Sequence, residues 1–105
     1  MTERLTPAQR RFLRSTARTR RPDVLVGKAG LAEEVIGHVG AMLDRHELVK
    51  VRLPQLAGPE RAEAAAELAE RASADLVDLV GRMVVLYRPN KQLPPDKRLH
   101  LPAAP

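Results

Sequence analysis

Two glycines that bracket a lysine form the stretch with the clearest chemical potential. The segment LVGKAGLAEEV, residues 25–35, places Gly27, Lys28, Ala29 and Gly30 between an apolar run and a helix-like pattern. A glycine lets another backbone come close, and a helix N-terminus presents free N–H groups with a partial positive charge. With the lysine charge added, this GKAG turn can hold a phosphate, although it can equally be a plain strand-to-helix connection. It lacks the longer glycine spacing and the Lys-Ser/Thr pair of a nucleotide-binding P-loop.

Basic residues are concentrated in two parts of the chain, whose formal net charge is +5. Residues 1–21 carry seven arginines against one acid, and residues 82–100 carry five lysines and arginines against one acid. Residues 60–78 are the reverse, with six acids against two arginines. A basic surface opposite an acidic one is expected of a protein that orients on a polyanion, but it is also compatible with a solvated surface. Besides the GKAG turn, the candidate RNA-contacting residues are Arg14, Arg18, Arg20, Arg21, Lys50, Arg52 and Arg88.

Catalytic and metal-binding patterns are missing from the sequence. The chain has no cysteine, and its three histidines show no ligand spacing. Glu33 and Glu34 are adjacent, so they would point about 100° apart on a helix, and Asp75 and Asp78 would face opposite sides of a strand. We therefore expect no enzyme activity, no metal, no cofactor and no small-molecule substrate. No membrane-spanning segment is predicted, and we expect a cytoplasmic monomer.

The elements that must position these residues can be read from capping and periodicity. Thr6 is a capping residue, Pro7 suits the first helical position and Gln9 can complete a capping box, so a helix should run to residue 17 or 18. Alternation in the segment 48–53 predicts a strand with Lys50 and Arg52 on a wet, basic face. The other predicted elements are strands at 24–26, 76–80 and 83–87, and helices from residue 31 to 43 and from 60 to 73.

The order α-β-α-β-α-β-β predicts a small single α/β domain with helices packed on a four-stranded sheet. We assign this domain to residues 1–91 and expect the proline-rich, basic segment 92–105 to be a mostly irregular tail. Phe12 is expected in the core, and Tyr87 in the core or at an edge of the sheet, with stacking on a base as the alternative for Tyr87. Two aromatic residues do not make a stacking platform.

Three motifs in this order resemble the CRM domain (chloroplast RNA splicing and ribosome maturation) in its stand-alone bacterial YhbY-like form. They are the strand-GKAG-helix segment, HELVKVRL at 46–53 and GRMVVLYRPNK at 81–91, and the opening LTPAQRRFLRSTA is also similar. The resemblance covers roughly residues 4–91. It implies a fold like that of the C-terminal domain of translation initiation factor 3.

The same resemblance implies RNA binding through the GxxG loop and its basic surroundings, and association with rRNA in precursors of the large ribosomal subunit. Residues 27–30 are then the loop that meets the RNA backbone. The alternative is a protein-interaction module that uses the acidic third helix or the proline-rich tail. The alanine-rich third helix and the tail depart from the family pattern.

Overall fold

The computed structural model describes residues 5–103, and Glu3 and Arg4 of the basic segment lie outside that range. The predicted element order is confirmed. The second helix begins at Glu33 rather than at residue 31, and the third begins at Gly58. The elements are α1 (Pro7–Arg18), β1 (Val24–Leu25), α2 (Glu33–His46), β2 (Leu48–Arg52), α3 (Gly58–Arg71), β3 (Asp75–Val80), β4 (Met83–Tyr87) and a 3-10 turn (Pro95–Lys97).

Local sequence signals explain where several of these elements start and turn. The Thr6 hydroxyl accepts from the Gln9 N–H at 3.1 Å, and the Gln9 side chain accepts from the Thr6 N–H at 3.0 Å. This is the predicted capping box of α1. Gly81, with φ +57°, makes the turn that joins β3 to β4 in an antiparallel hairpin.

The four strands form one mixed sheet in the order β1-β2-β4-β3. β1 is parallel to β2, while β4 is antiparallel to both of its neighbours. At one end of the sheet, cross-strand pairs join Leu25 to Arg52, Arg52 to Met83, and Met83 to Val80. We call these four residues the outer row. The GKAG turn leaves β1 at this same end.

The helices cover both faces of the sheet. α1 packs on one face through Leu13 and Ala17, over Val85 and Tyr87. α2 and α3 pack on the other face, where Val39 and Leu68 are fully buried. The arginine-rich α1 and the acidic α3 therefore lie on opposite sides of the molecule.

The predicted wet face of β2 is only partly correct. Lys50 and Arg52 share a face, but α1 reaches across the sheet as far as Lys50. The Lys50 ammonium donates to the Ala17 and Arg20 carbonyl oxygens at 3.1 and 2.9 Å. Arg52 lies beyond the reach of α1 and is exposed.

The prediction that Asp75 and Asp78 face opposite ways is wrong. The register of β3 shifts between Leu76 and Asp78, so one extra residue is inserted relative to β4. Beyond this irregularity, the alternation of side chains between the two faces of the sheet is shifted by one residue. Asp75 pairs with Tyr87, which packs under α1, and Asp78 lines a cavity on that same side, beside Val80.

The segment beyond β4 is irregular apart from the 3-10 turn, and it packs on the domain. Leu99 and Leu101 pack against the cluster beneath α1. The fully buried Glu47 carboxylate fixes this segment: it accepts from the N–H groups of Asn90 and Leu99, both at 2.7 Å, and from the Arg98 guanidinium at 3.3 Å. The predicted tail therefore closes one end of the hydrophobic core.

Candidate nucleic-acid interface

The GKAG turn is an exposed, hydrogen-bonded loop. The Gly27 carbonyl accepts from the Gly30 N–H at 3.0 Å, and Gly30 adopts a left-handed φ of +76°. Gly27, Lys28 and Ala29 are all exposed. Within residues 5–103 the Lys28 ammonium forms no ion pair or hydrogen bond, so its charge is available to a ligand.

The helix that follows the turn has an open N-terminus. Its N-cap is Ala32, which offers no side-chain cap. In the described part of the chain, the N–H groups of Glu33 and Glu34 have no hydrogen-bond partner. Free N–H groups and the helix dipole make a local site for an anion.

Arg71 shields this helix start from one of its own acids. Its guanidinium contacts the Glu33 carboxylate at 2.8 Å and donates to the Leu31 carbonyl, also at 2.8 Å. The Glu33 charge is thus partly neutralised on the α3 side. The same contacts tie the exit of the GKAG turn to α3.

An acidic groove flanks the turn on its α3 side. The groove has a volume of about 360 Å³ and lies between Lys28 and the carboxylates of Glu60, Glu63 and Glu67. These carboxylates repel a phosphate, because like charges facing each other are unfavourable. A phosphate at the turn would therefore meet less repulsion on the side that faces away from α3.

Three arginines of α1 that are spaced four residues apart, Arg10, Arg14 and Arg18, have two kinds of surroundings. Arg10 is held against β3, where it donates to the Leu76 carbonyl at 2.9 Å. Arg14 and Arg18 are exposed and line a cavity of about 270 Å³ between α1 and the outer row. The structure thus brings Arg14 and Arg18 to the sheet end that carries the GKAG turn.

Arg20 and Arg21 also differ in their surroundings. Arg20 is half-buried, lies 3.6 Å from the Asp23 carboxylate and donates weakly to the Leu48 carbonyl at 3.4 Å. Arg21 is exposed and forms no ion pair with the described residues. Of the two, Arg21 has the freer charge.

Lys50 and Arg88 are used inside the fold. Lys50 neutralises the carbonyl end of α1, as described above. Arg88 lies at the opposite end of the sheet, where it contacts the Asp44 carboxylate at 2.8 Å and donates to the Gly40 and Ala72 carbonyls. The structure therefore separates Arg88 from the GKAG turn.

The sequence interpretation did not select Arg82 or the apolar residues of the outer row. The Arg82 Nε donates to the Leu53 carbonyl at 3.0 Å and fixes the hairpin beside the end of β2. The sequence signal that could have identified Arg82 is its position directly after Gly81, in the turn between β3 and β4. Leu25 and Val80 are 67% and 64% exposed, which single-sequence periodicity does not reveal.

Within the described residues, no group of three or more metal-ligating side chains could hold an ion. No helix in that part of the chain is long and apolar enough to cross a membrane.

Comparison with known proteins places this geometry in a family. The CRS1 / YhbY (CRM) domain model matches residues 5–88. The chain is 34% identical to "Probable RNA-binding protein YqeI" of Bacillus subtilis over 93% of its own length and 99% of the relative's. It is 33% identical to a "Probable RNA-binding protein" of Pseudomonas aeruginosa over 90% and 89% of the two chains. The solution structure of a hypothetical protein from Staphylococcus aureus superposes with a TM-score of 0.79 at 35% identity, covering 94% of this chain and all of that one.

Proposed function

The chain belongs to the CRS1 / YhbY (CRM) domain family, and from this premise we propose that it binds rRNA in precursors of the large ribosomal subunit. Binding uses the GKAG turn and the cationic side chains at the same end of the sheet. The protein acts as a monomeric assembly factor rather than as an enzyme. The names of its relatives, which refer to RNA binding, support the RNA part of this proposal.

One observation carries the proposal: an exposed lysine in a glycine turn leads into a helix N-terminus without a side-chain cap. A phosphate on this turn would meet the free N–H groups of α2 and the Lys28 ammonium together. Since neither glycine carries a side chain, the sugar-phosphate backbone can come close to the turn.

Charge on either side of the turn sets the direction of the RNA. The glutamates of α3 repel it, while Arg52, Arg14 and Arg18 attract it along the outer row. The contacts are mainly to phosphates, so binding depends on RNA shape and charge more than on an aromatic platform. Tyr87 is buried beneath the C-terminal segment and supplies no such platform.

Co-sedimentation with ribosomal particles from a gently lysed cell tests the proposal. We expect the tagged protein to travel with large-subunit precursors, and a Lys28→Asp, Ala29→Asp double variant to stay at the top of the gradient. Lys91→Asp with Gln92→Asp is the matched control, because it makes the same charge change at two exposed positions after β4. Wild type at the top of the gradient, or equal loss in the control, would contradict the proposal.

The acidic groove favours a second candidate function, a protein-interaction module. Apolar side chains such as Leu53 and Leu56 line the groove beside the α3 glutamates, which suits a basic peptide. This function predicts that Glu63→Lys, on exposed α3, abolishes association with the particles while the Lys28 variant does little. Deletion of residues 92–105 does not discriminate, because it also removes Arg98 and Leu99, two of the three partners of the buried Glu47.

A further inference from the structure

The outer row leaves an apolar surface open to solvent. Among residues 5–103 the exposed large hydrophobic side chains are Leu25 and Val80, and both lie in this row. α1 covers the neighbouring residues of the same sheet face but does not extend to this end. Of the two, Val80 lines a cavity together with Met83. Contiguous exposed apolar surface marks a binding site more often than scattered single side chains do.

The cavity beside the row has an apolar floor and a charged rim. Val80, Met83 and Val85 form the floor, and Arg14 and Arg18 stand on the α1 side. Lys50 also lines the cavity, with its ammonium held by the Ala17 and Arg20 carbonyls. Its volume of about 270 Å³ is near the lower end for small-molecule sites. It therefore suits one flat ring system rather than a larger ligand.

The charged side chains of Arg14, Arg18 and Asp78 around this cavity do not form ion pairs with one another. Arg14 and Arg18 form no ion pair with the described residues. Asp78, across the cavity, accepts one hydrogen bond, at 3.0 Å, from the N–H of the adjacent Leu79. A carboxylate can accept several more, so most of its capacity faces the cavity unused.

We propose that this cavity binds one unstacked nucleobase of single-stranded RNA, with the flanking phosphates held by Arg14, Arg18 and Arg52. The inference rests on the proposed RNA-binding function and extends it to a site for a base. The ring lies on Val80 and Met83, and an arginine guanidinium can stack on its other face.

Asp78 selects the base by its hydrogen-bonding pattern. An ionised carboxylate only accepts hydrogen bonds, so it favours a base edge with adjacent N–H donors. Guanine presents such a pair on its Watson–Crick edge, from the ring N–H and the exocyclic amino group. Uracil presents one N–H between two carbonyl oxygens, which the carboxylate repels. The cavity should therefore prefer guanine over uracil.

Fluorescence anisotropy with seven-nucleotide single-stranded RNAs tests the inference. The RNAs carry uridine throughout except at the centre, which is guanosine, uridine or an abasic ribose. We expect the guanosine RNA to bind at least about fivefold tighter than the abasic one, as loss of a stacked base predicts. Asp78→Asn keeps the acceptor oxygen for Leu79 and should abolish the preference for guanosine over uridine.

Asp75→Asn is the matched control, because it makes the same change on the same strand away from the cavity and should keep the preference. Equal affinity for the three RNAs, or the same loss of preference in the control, would overturn the base site while the GKAG proposal stood. If the wild-type protein bound neither these RNAs nor a long rRNA fragment at low salt, the proposed function itself would fail.

Discussion

Gly27 and Gly30 bracket the same turn but have different structural requirements. Gly30 adopts a left-handed φ of +76°, whereas Gly27 does not, and a Cβ at either position would meet open space. An L-residue in the left-handed region costs about 1–2 kcal/mol. The backbone conformation therefore requires glycine at position 30. It does not require glycine at position 27, where the missing side chain leaves room for a ligand.

This difference predicts separable effects of two alanine substitutions. Gly30→Ala should lower the free energy of unfolding by about 1–2 kcal/mol. Gly27→Ala should leave stability unchanged and weaken RNA binding, because its methyl group obstructs the close approach of a phosphate. Urea unfolding and RNA titration of both variants measure the two effects. Unchanged affinity in Gly27→Ala would show that the RNA backbone does not approach this residue.

Glu47 holds together parts of the chain that are far apart in sequence. Its carboxylate is fully buried and accepts from Asn90, Arg98 and Leu99. Glu47→Ala would leave these donors without a partner, and we expect a loss of about 3 kcal/mol in the free energy of unfolding. Glu63→Ala, on the exposed side of α3, is the control and should cost far less. Similar urea midpoints for the two variants would refute the role of Glu47.

At the scale of elements, the position where α1 ends decides what the side chains of β2 do. Lys50 lies under the end of α1 and compensates its carbonyl groups, while Arg52, two residues further, is in solvent. One strand therefore supplies a structural cation and a free one.

We expect this division to appear in a pair of charge-removing variants. Lys50→Met should destabilise the protein by about 1–2 kcal/mol, because the carbonyl end of α1 loses its cation. Arg52→Gln should keep the stability and weaken RNA binding. The temperature of thermal unfolding should therefore fall mainly in Lys50→Met, and RNA affinity should fall mainly in Arg52→Gln. Because Lys50 also lines the cavity beside the outer row, the outcome that would contradict this division is a larger loss of RNA affinity in a folded Lys50→Met protein than in Arg52→Gln.

The elements could be predicted where their signals are local. The capping box of Thr6 and Gln9 and the Gly81 turn depend on residues a few positions apart. The engagement of Lys50 by α1 and of Arg88 by Asp44 could not be predicted, because their partners lie 30 or more residues away. The irregularity in β3 was also invisible, since alternation alone cannot show an inserted residue. The candidate interface was thus predicted as a set of charges, and the structure decided which are free.

For the whole molecule, the segregation of charge should control the salt dependence of binding. Of the predicted RNA-contacting residues, those that are exposed and unpaired within residues 5–103 are Arg14, Arg18, Arg21, Lys28 and Arg52. About five phosphate contacts give a slope of about −3.5 to −4.5 for log affinity against log salt. Affinity measured across a salt series checks this value, and a flat dependence would contradict the electrostatic docking.

The buried Tyr87 should make the stability of the fold depend on pH in the alkaline range. Burial raises the pKa of Tyr87 above its ordinary 10.0, and the nearby Glu47 carboxylate raises it further. The folded state therefore keeps the phenol proton at a pH where the unfolded chain has lost it. The protonated Tyr87 therefore contributes fully to the free energy of unfolding below about pH 10, and this contribution is lost as the pH rises further.

Urea unfolding between about pH 9 and pH 11 measures this loss. Tyr87→Phe should show a shallower decline than the wild type, because phenylalanine does not titrate. Parallel declines in the two proteins would show that Tyr87 is equally easy to ionise in the folded and unfolded states.

The irregular β3 also bears on how this protein avoids pairing with other copies of itself. β1 and β3 are the edge strands of the sheet, and an open edge invites another strand to add to it. β1 offers two residues between Pro22 and the glycine turn, and β3 is interrupted at the register shift and carries Asp75 and Asp78. Neither edge presents a long regular row of hydrogen-bonding groups. The register shift that turns Asp78 toward the cavity therefore also protects the sheet against edge-to-edge aggregation.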